Sequence, residues 1–170
     1  MADSTPKSAA ELEKSVRSSA SWCFWVAALT AVNAAMALSG SDRGFVLGTA
    51  MAQAAMQIAR DAGNVGKGIA VVVNVVAIGY FVGMGLLAQR GRRWAFVLAF
   101  LAYGADTLLL LLDPDFLPIA FHVWVLFSLG VGFMAVKPWR EAQAREQAEA
   151  VTPPVMTSAV ETGGGAPPVG

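Results

Sequence analysis

The sequence predicts an all-α protein: a four-helix transmembrane bundle with a short extracytoplasmic interfacial or re-entrant helix across its outer mouth. Three observations carry that prediction. The chain of 170 residues is 56% hydrophobic and only 14% charged, too apolar for an ordinary water-soluble domain. Four apolar runs, 20–39, 69–89, 94–112 and 118–136, approach or reach the roughly 20 residues a helix needs to cross about 30 Å of hydrocarbon. Each run is interrupted by one strongly polar residue, Asn33, Asn74, Asp106 or His122.

Residues 1–19 read as a cytoplasmic segment, helical from Thr5, with Ser4 or Thr5 as cap, Pro6 in the first turn and Glu13 four residues before Arg17. In the first span, Ala27, Ala31, Ala34 and Ala35 allow close helix approach. Ala35-Met36-Ala37 has the small-residue spacing of a signal-peptidase site. The apolar core nevertheless exceeds the usual roughly 7–15 residues of a signal sequence, and Glu11 and Glu13 precede it, so the run is expected to stay as a span.

Residues 44–59 are apolar but too short to cross and form the expected outer helix. Gln53, Gln57, Arg60, Asp61 and Asn64 fall on one side at helical spacing, and Gln53 and Gln57 are candidate lid residues over the bundle mouth. Gly63-Asn-Val-Gly66-Lys67-Gly68 imitates a phosphate loop with the wrong spacing and no Ser or Thr after the lysine. It is read as a flexible loop, with no nucleotide as partner.

Gly79 and Gly83 in the second span, Ala95, Ala99 and Ala102 in the third, and Gly130 and Gly132 in the fourth are the small residues expected at helix contacts. Residues 113–117, with Asp113, Pro114 and Asp115, make a tight turn between the last two spans. Residues 137–151 prolong the fourth helix into the cytoplasm with a kink at Pro138, and the Pro- and Gly-rich tail 152–170 is expected to be disordered.

Lys7, Lys14 and Arg17, then Arg90, Arg92 and Arg93, then Lys137, Arg140 and Arg145 flank one set of span ends, against Arg43, Arg60 and Lys67 at the other. Basic side chains resist translocation, so both termini are assigned to the cytoplasm. Trp22, Trp25, Trp94 and Trp139 lie near the same ends, where amphipathic rings favour the headgroup level.

Depth then sorts the polar residues. Asn33 lies six residues before Ser39, Asn74 five after Ile69, Asp106 six before Leu112 and His122 four after Pro118, which at about 1.5 Å per residue puts all four roughly 6–9 Å below the outer boundary. Thr30, Tyr103 and Thr107 flank that level. The candidate site is therefore a buried polar layer of Asp106, His122, Asn74, Asn33 and Tyr103, serving as a structural network or a proton relay, with Asn33 and Asn74 expected to satisfy Asp106 and His122.

Other chemistry is excluded residue by residue. One histidine and one carboxylate fall short of the three or four protein ligands usual for zinc, so no metal is assigned. The single cysteine, Cys23, rules out an internal disulfide or a CxxC centre. Met36, Met51 and Met56 read as packing residues. No Ser-His-Asp triad suggests itself, no cofactor is implied, and a net charge of zero gives no reason to invoke nucleic acid.

The stretch from Trp94 through Tyr103 to Asp106, the acidic turn and Ile119-Ala-Phe-His122, together with Phe45-Val-Leu-Gly48 and Gln53, resembles the signature of a group of small, uncharacterised bacterial four-span membrane proteins. That resemblance implies the bundle, the polar layer and a bacterial inner-membrane location, but no reaction. Gln57 stands where similar chains are expected to carry an acid. The resulting expectation is a non-enzymatic integral membrane protein, an accessory or interaction subunit whose partners are the bilayer and other membrane-protein subunits. The alternative is a minimal transporter or proton-coupled channel module built on the Asp106–His122 pair.

Overall fold

The computed structural model describes residues 7–39, 49–51, 54, 63–111 and 116–151. Four helices account for nearly all of them: α1 (Ala9–Leu38), α2 (Gly63–Gln89), α3 (Arg93–Leu110) and α4 (Phe116–Val151). Each is long and apolar enough to cross a membrane.

The helices close into a ring in chain order, α1 against α2 and α4, and α3 against α2 and α4. Neighbours run antiparallel. Cys23 and Phe24 of α1 meet Gly85 of α2, Phe81 of α2 meets Tyr103 of α3, and Phe96 of α3 meets Gly132 of α4. The start of α1, the turn between α2 and α3, and the end of α4 thus share one end of the bundle. There the Ala9 amide donates to the Glu146 carboxylate at 3.3 Å, and the Arg140 guanidinium donates to the Gly91 carbonyl at 2.8 Å.

The buried positions of α4, Pro118, His122, Val125, Leu129, Gly132, Val136 and Trp139, alternate steps of four and three residues. That is the seam of a bundle whose helices cross at shallow angles. In α2 the buried face is Gly66, Ala70, Asn74, Ala77, Phe81, Gly85 and Ala88, whereas Val65, Ile69, Val72, Val75 and Val76 face outward. The small and polar residues are inside and the large aliphatic ones outside, the reverse of a water-soluble helix and the pattern that packing in lipid favours. Four such helices fit a multi-pass membrane protein.

Several local expectations are corrected. The cap of α1 is Ser8, in a reciprocal capping box with Glu11, rather than Ser4 or Thr5; the box satisfies two amides at once. The expected loop at Gly63–Gly68 is the opening of α2. Its glycines disfavour helix, but Gly66 is buried, where the lack of a side chain permits close packing. Among the glycines expected at helix contacts, Gly79, Gly83 and Gly130 face open space and only Gly132 sits at a contact. Gly85 joins it, because a Cβ there would fall 2.9 Å from the Phe24 ring.

Trp139 is buried against the turn between α2 and α3. Its ring covers Gly91, whose φ of 72° and close approach of 2.6 Å between a virtual Cβ and Trp139 Cζ3 both require glycine. Within the expected outer helix, Thr49, Ala50, Met51 and Ala54 are described, the last three with helical backbone. Gln53, Gln57, residues 113–115 of the expected 113–117 turn and the tail 152–170 lie outside the described residues, whereas Phe116 and Leu117 of that turn open α4.

Candidate functional site around Asp106

Two adjacent helices supply the centre of the site. On α3 the buried stripe Ala95, Phe96, Ala99, Tyr103, Asp106 ends in the carboxylate. On α4 the seam begins with Pro118 and His122, so the antiparallel pairing of α3 and α4 brings the acid to the imidazole. His122 Nε2 lies 3.2 Å from Asp106 Oδ2, with His122 fully buried and Asp106 5% exposed.

The second nitrogen fixes the tautomer. His122 Nδ1 is 2.8 Å from the Pro118 carbonyl oxygen, which can only accept, so Nδ1 carries a hydrogen. Nε2 is left facing Asp106 Oδ2.

The carboxylate has further partners that no side-chain pattern announces. The Ala50 amide donates to Oδ2 at 2.8 Å and the Met51 amide to Oδ1 at 2.9 Å. Both belong to helical backbone that follows Thr49, and amides at such a start have no partner in their own turn. Asp106 thus ties the segment between α1 and α2 to the α3–α4 pair. Thr49 opening an apolar stretch after Gly48 is the cap-like sequence signal that could have located this contact.

Aromatic rings wall the centre. Tyr103 stacks flat on His122, with centroids 4.4 Å apart and planes 2° from parallel, and Phe81 and Phe121 meet this stack edge-on. The rings shield the His122 side of the pair, and in such low-dielectric surroundings a hydrogen bond is stronger and an unmade one costlier.

The polar layer assembles only in part. Asp106, His122 and Tyr103 come together, Tyr103 through its ring rather than its hydroxyl. Asn33 and Asn74 are buried but, among the described residues, bond neither Asp106 nor His122. Asn74 donates to the Ala70 carbonyl one turn back at 2.9 Å, and Thr30 and Thr107 likewise return to their own helices. Such local bonds compete successfully with cross-helix ones. Both amide atoms of Asn33, the Tyr103 hydroxyl and the Thr49 hydroxyl are buried without a partner among the described residues. Among the described residues no three His, Cys, Asp or Glu side chains converge as metal ligands.

A groove of about 550 Å³ reaches Asp106 and Thr49 from the outer surface between α2 and α3. No protein-family model, no curated protein and no solved structure matches this chain.

Proposed function

We propose that the chain is a non-enzymatic multi-pass protein of the bacterial inner membrane, with both termini cytoplasmic, that serves as an accessory or interaction subunit. The observation that carries this reading is the hold the chain itself has on Asp106: one imidazole and two backbone amides converge on it. A carboxylate held from three directions is a structural tie, whereas a catalytic acid or base has to reach a substrate proton.

Orientation is tested by cysteine labelling from the periplasmic side. Ser41→Cys should react and Arg90→Cys should not; the opposite pattern would invert the topology. Arg90 is exposed, while its neighbour Gly91 lies under Trp139 and tolerates no side chain. The subunit reading is tested by purification in mild detergent. A stoichiometric membrane partner should be retained by wild type and by a folded Asp106→Asn variant, and isolation of the chain alone under gentle extraction would count against it.

A second reading is supported by the buried Asp106–His122 contact and by the buried polar groups of Asn33, Tyr103 and Thr49, which have no partner among the described residues. As a proton-coupled transport module, the protein would give a pH-dependent flux in liposomes that His122→Ala abolishes without loss of fold.

A further inference from the structure

We propose that the groove between α3 and α4 binds an anionic phospholipid, with one acyl chain lying in the groove and the headgroup phosphate on the Arg93 guanidinium at its rim. The inference rests on the bundle lying in a bilayer and not on the accessory-subunit reading.

The groove fits a lipid chain. Its floor is made by Phe96 and Leu129, each 1% exposed, and its α3 wall by Val97, Phe100 and Leu101, all more than 40% exposed. On α4, Gly130 leaves a notch, since a Cβ there would meet nothing within 4 Å. The volume of about 240 Å³ is below the roughly 300–1,000 Å³ of ordinary small-molecule sites. It suits a length of one chain better than a cofactor. Its lip is exposed apolar surface, so in a bilayer the groove opens onto acyl chains.

The rim defines the head. Arg93 opens α3 one turn before Phe96 and Val97, and its Cζ stands over the Phe133 ring, 4.4 Å from the centroid. That is inside the roughly 6 Å of a cation–π contact, and Phe133 is itself part of the groove wall. The contact therefore holds the guanidinium at the end of the groove. A guanidinium engaged by its face keeps the N–H donors of its edge, the fork that matches a phosphate. Arg93 is exposed, and among the described residues its side chain bonds no carboxylate and no carbonyl.

Charge selects the lipid class. Arg17 and Lys137, at the same end of the bundle, are paired within their own helices with Glu13 and Glu141 at 2.8 and 3.7 Å. Arg90, Arg92 and Arg93 are exposed without an acid partner among the described residues, and the first turn of α3 holds no acid. Basic clusters of this kind at a membrane surface attract anionic headgroups, whereas a zwitterionic headgroup brings a cation of its own into the same field. A second copy of the chain, packed groove to groove in the same membrane, would set these arginines against their own equivalents. An anionic lipid is the occupant that fits both the chain groove and the rim.

The test uses the full-length protein in a neutral detergent, with native mass spectrometry and thermal unfolding as readouts. Dioleoylphosphatidylglycerol is compared with dioleoylphosphatidylcholine, and glycerol 3-phosphate supplies the head without a chain. Wild type should bind the anionic lipid roughly tenfold more tightly than the zwitterionic one and unfold at a higher temperature with it. Glycerol 3-phosphate at the same concentration should not displace it. Arg93→Gln should cut the preference about fivefold, the share of one basic residue. Lys14→Gln makes the same charge change on α1, across the ring from α3, and should leave the preference within about a factor of two, since the screening length in physiological salt is about 8 Å.

Gly130→Leu fills the notch where an added Cβ meets nothing, so the protein should fold as before. Its binding of the anionic lipid should weaken roughly tenfold through lost chain contact. Equal binding of the two lipids by wild type, equal losses in Arg93→Gln and Lys14→Gln, undiminished binding in folded Gly130→Leu, or full displacement by glycerol 3-phosphate would each overturn the proposal. A lipid-free dimer that Gly130→Leu breaks would overturn it too, by giving the groove to a second copy.

Discussion

Asp106→Ala is expected to destabilise the bundle by about 3–5 kcal/mol, the usual cost of removing one partner from a buried pair. The loss has three parts. The His122 imidazole loses the acceptor or donor at 3.2 Å from Nε2, and the Ala50 and Met51 amides lose theirs at 2.8 and 2.9 Å. Denaturant unfolding in mixed micelles measures the total, and hydrogen exchange separates the local part, since the Ala50 and Met51 amides should lose protection before the α3–α4 core does. Asp106→Asn should cost less, about 1–3 kcal/mol, because one amide oxygen replaces two acceptors and one backbone donor is left unpaired. If Asp106→Ala unfolds at the wild-type midpoint, the carboxylate ties nothing together.

Gly132→Val is the second large effect, and its mechanism is steric. A Cβ at this position would lie 2.5 Å from Phe96 Cε1 and 2.5 Å from Ser19 Cβ, so α1, α3 and α4 would all have to move apart. Overpacking of this kind typically costs about 1–3 kcal/mol for added methylenes. Here the opposing Ser19 atom sits directly on the backbone and cannot swing aside, so the upper end is expected. Gly79→Val serves as the control, since a Cβ there meets nothing within 4 Å. Equal unfolding midpoints for the two variants would remove Gly132 from the packing account.

The contrast between these two glycines shows where sequence reasoning stops. Run length and composition suffice to place four helices, and depth counting suffices to pair Asp106 with His122, because the short link between α3 and α4 leaves little freedom in their register. The buried face of each helix is another matter. In α2 large apolar residues occur all round, so an outward face of Val65, Val72 and Val76 and an inward face of Gly66, Ala70 and Ala77 are both plausible from periodicity alone. Gly79 and Gly83 formed a familiar motif and point outward; Gly85 formed none and packs.

The site was legible to the same depth. A side-chain inventory finds the acid, the imidazole and the tyrosine ring. It cannot find the Ala50 and Met51 amides, since every residue other than proline has one, and only the fold decides which of them lack a partner. It also overcounts, because asparagine inside a helix can bond the preceding turn, as Asn74 does with Ala70.

The spacing of the Asp106 partners along the chain has a consequence for biogenesis. The two amides are made 56 and 55 residues before the acid, and the imidazole 16 residues after it. At roughly 5–20 residues per second, the acid waits about one to three seconds for His122. During that interval α3 carries an aspartate whose insertion alone is disfavoured by up to about 2.5–3.5 kcal/mol. The α3–α4 hairpin is therefore expected to enter the membrane as one unit, with the earlier segment holding Ala50 and Met51 docking on it once both helices have arrived.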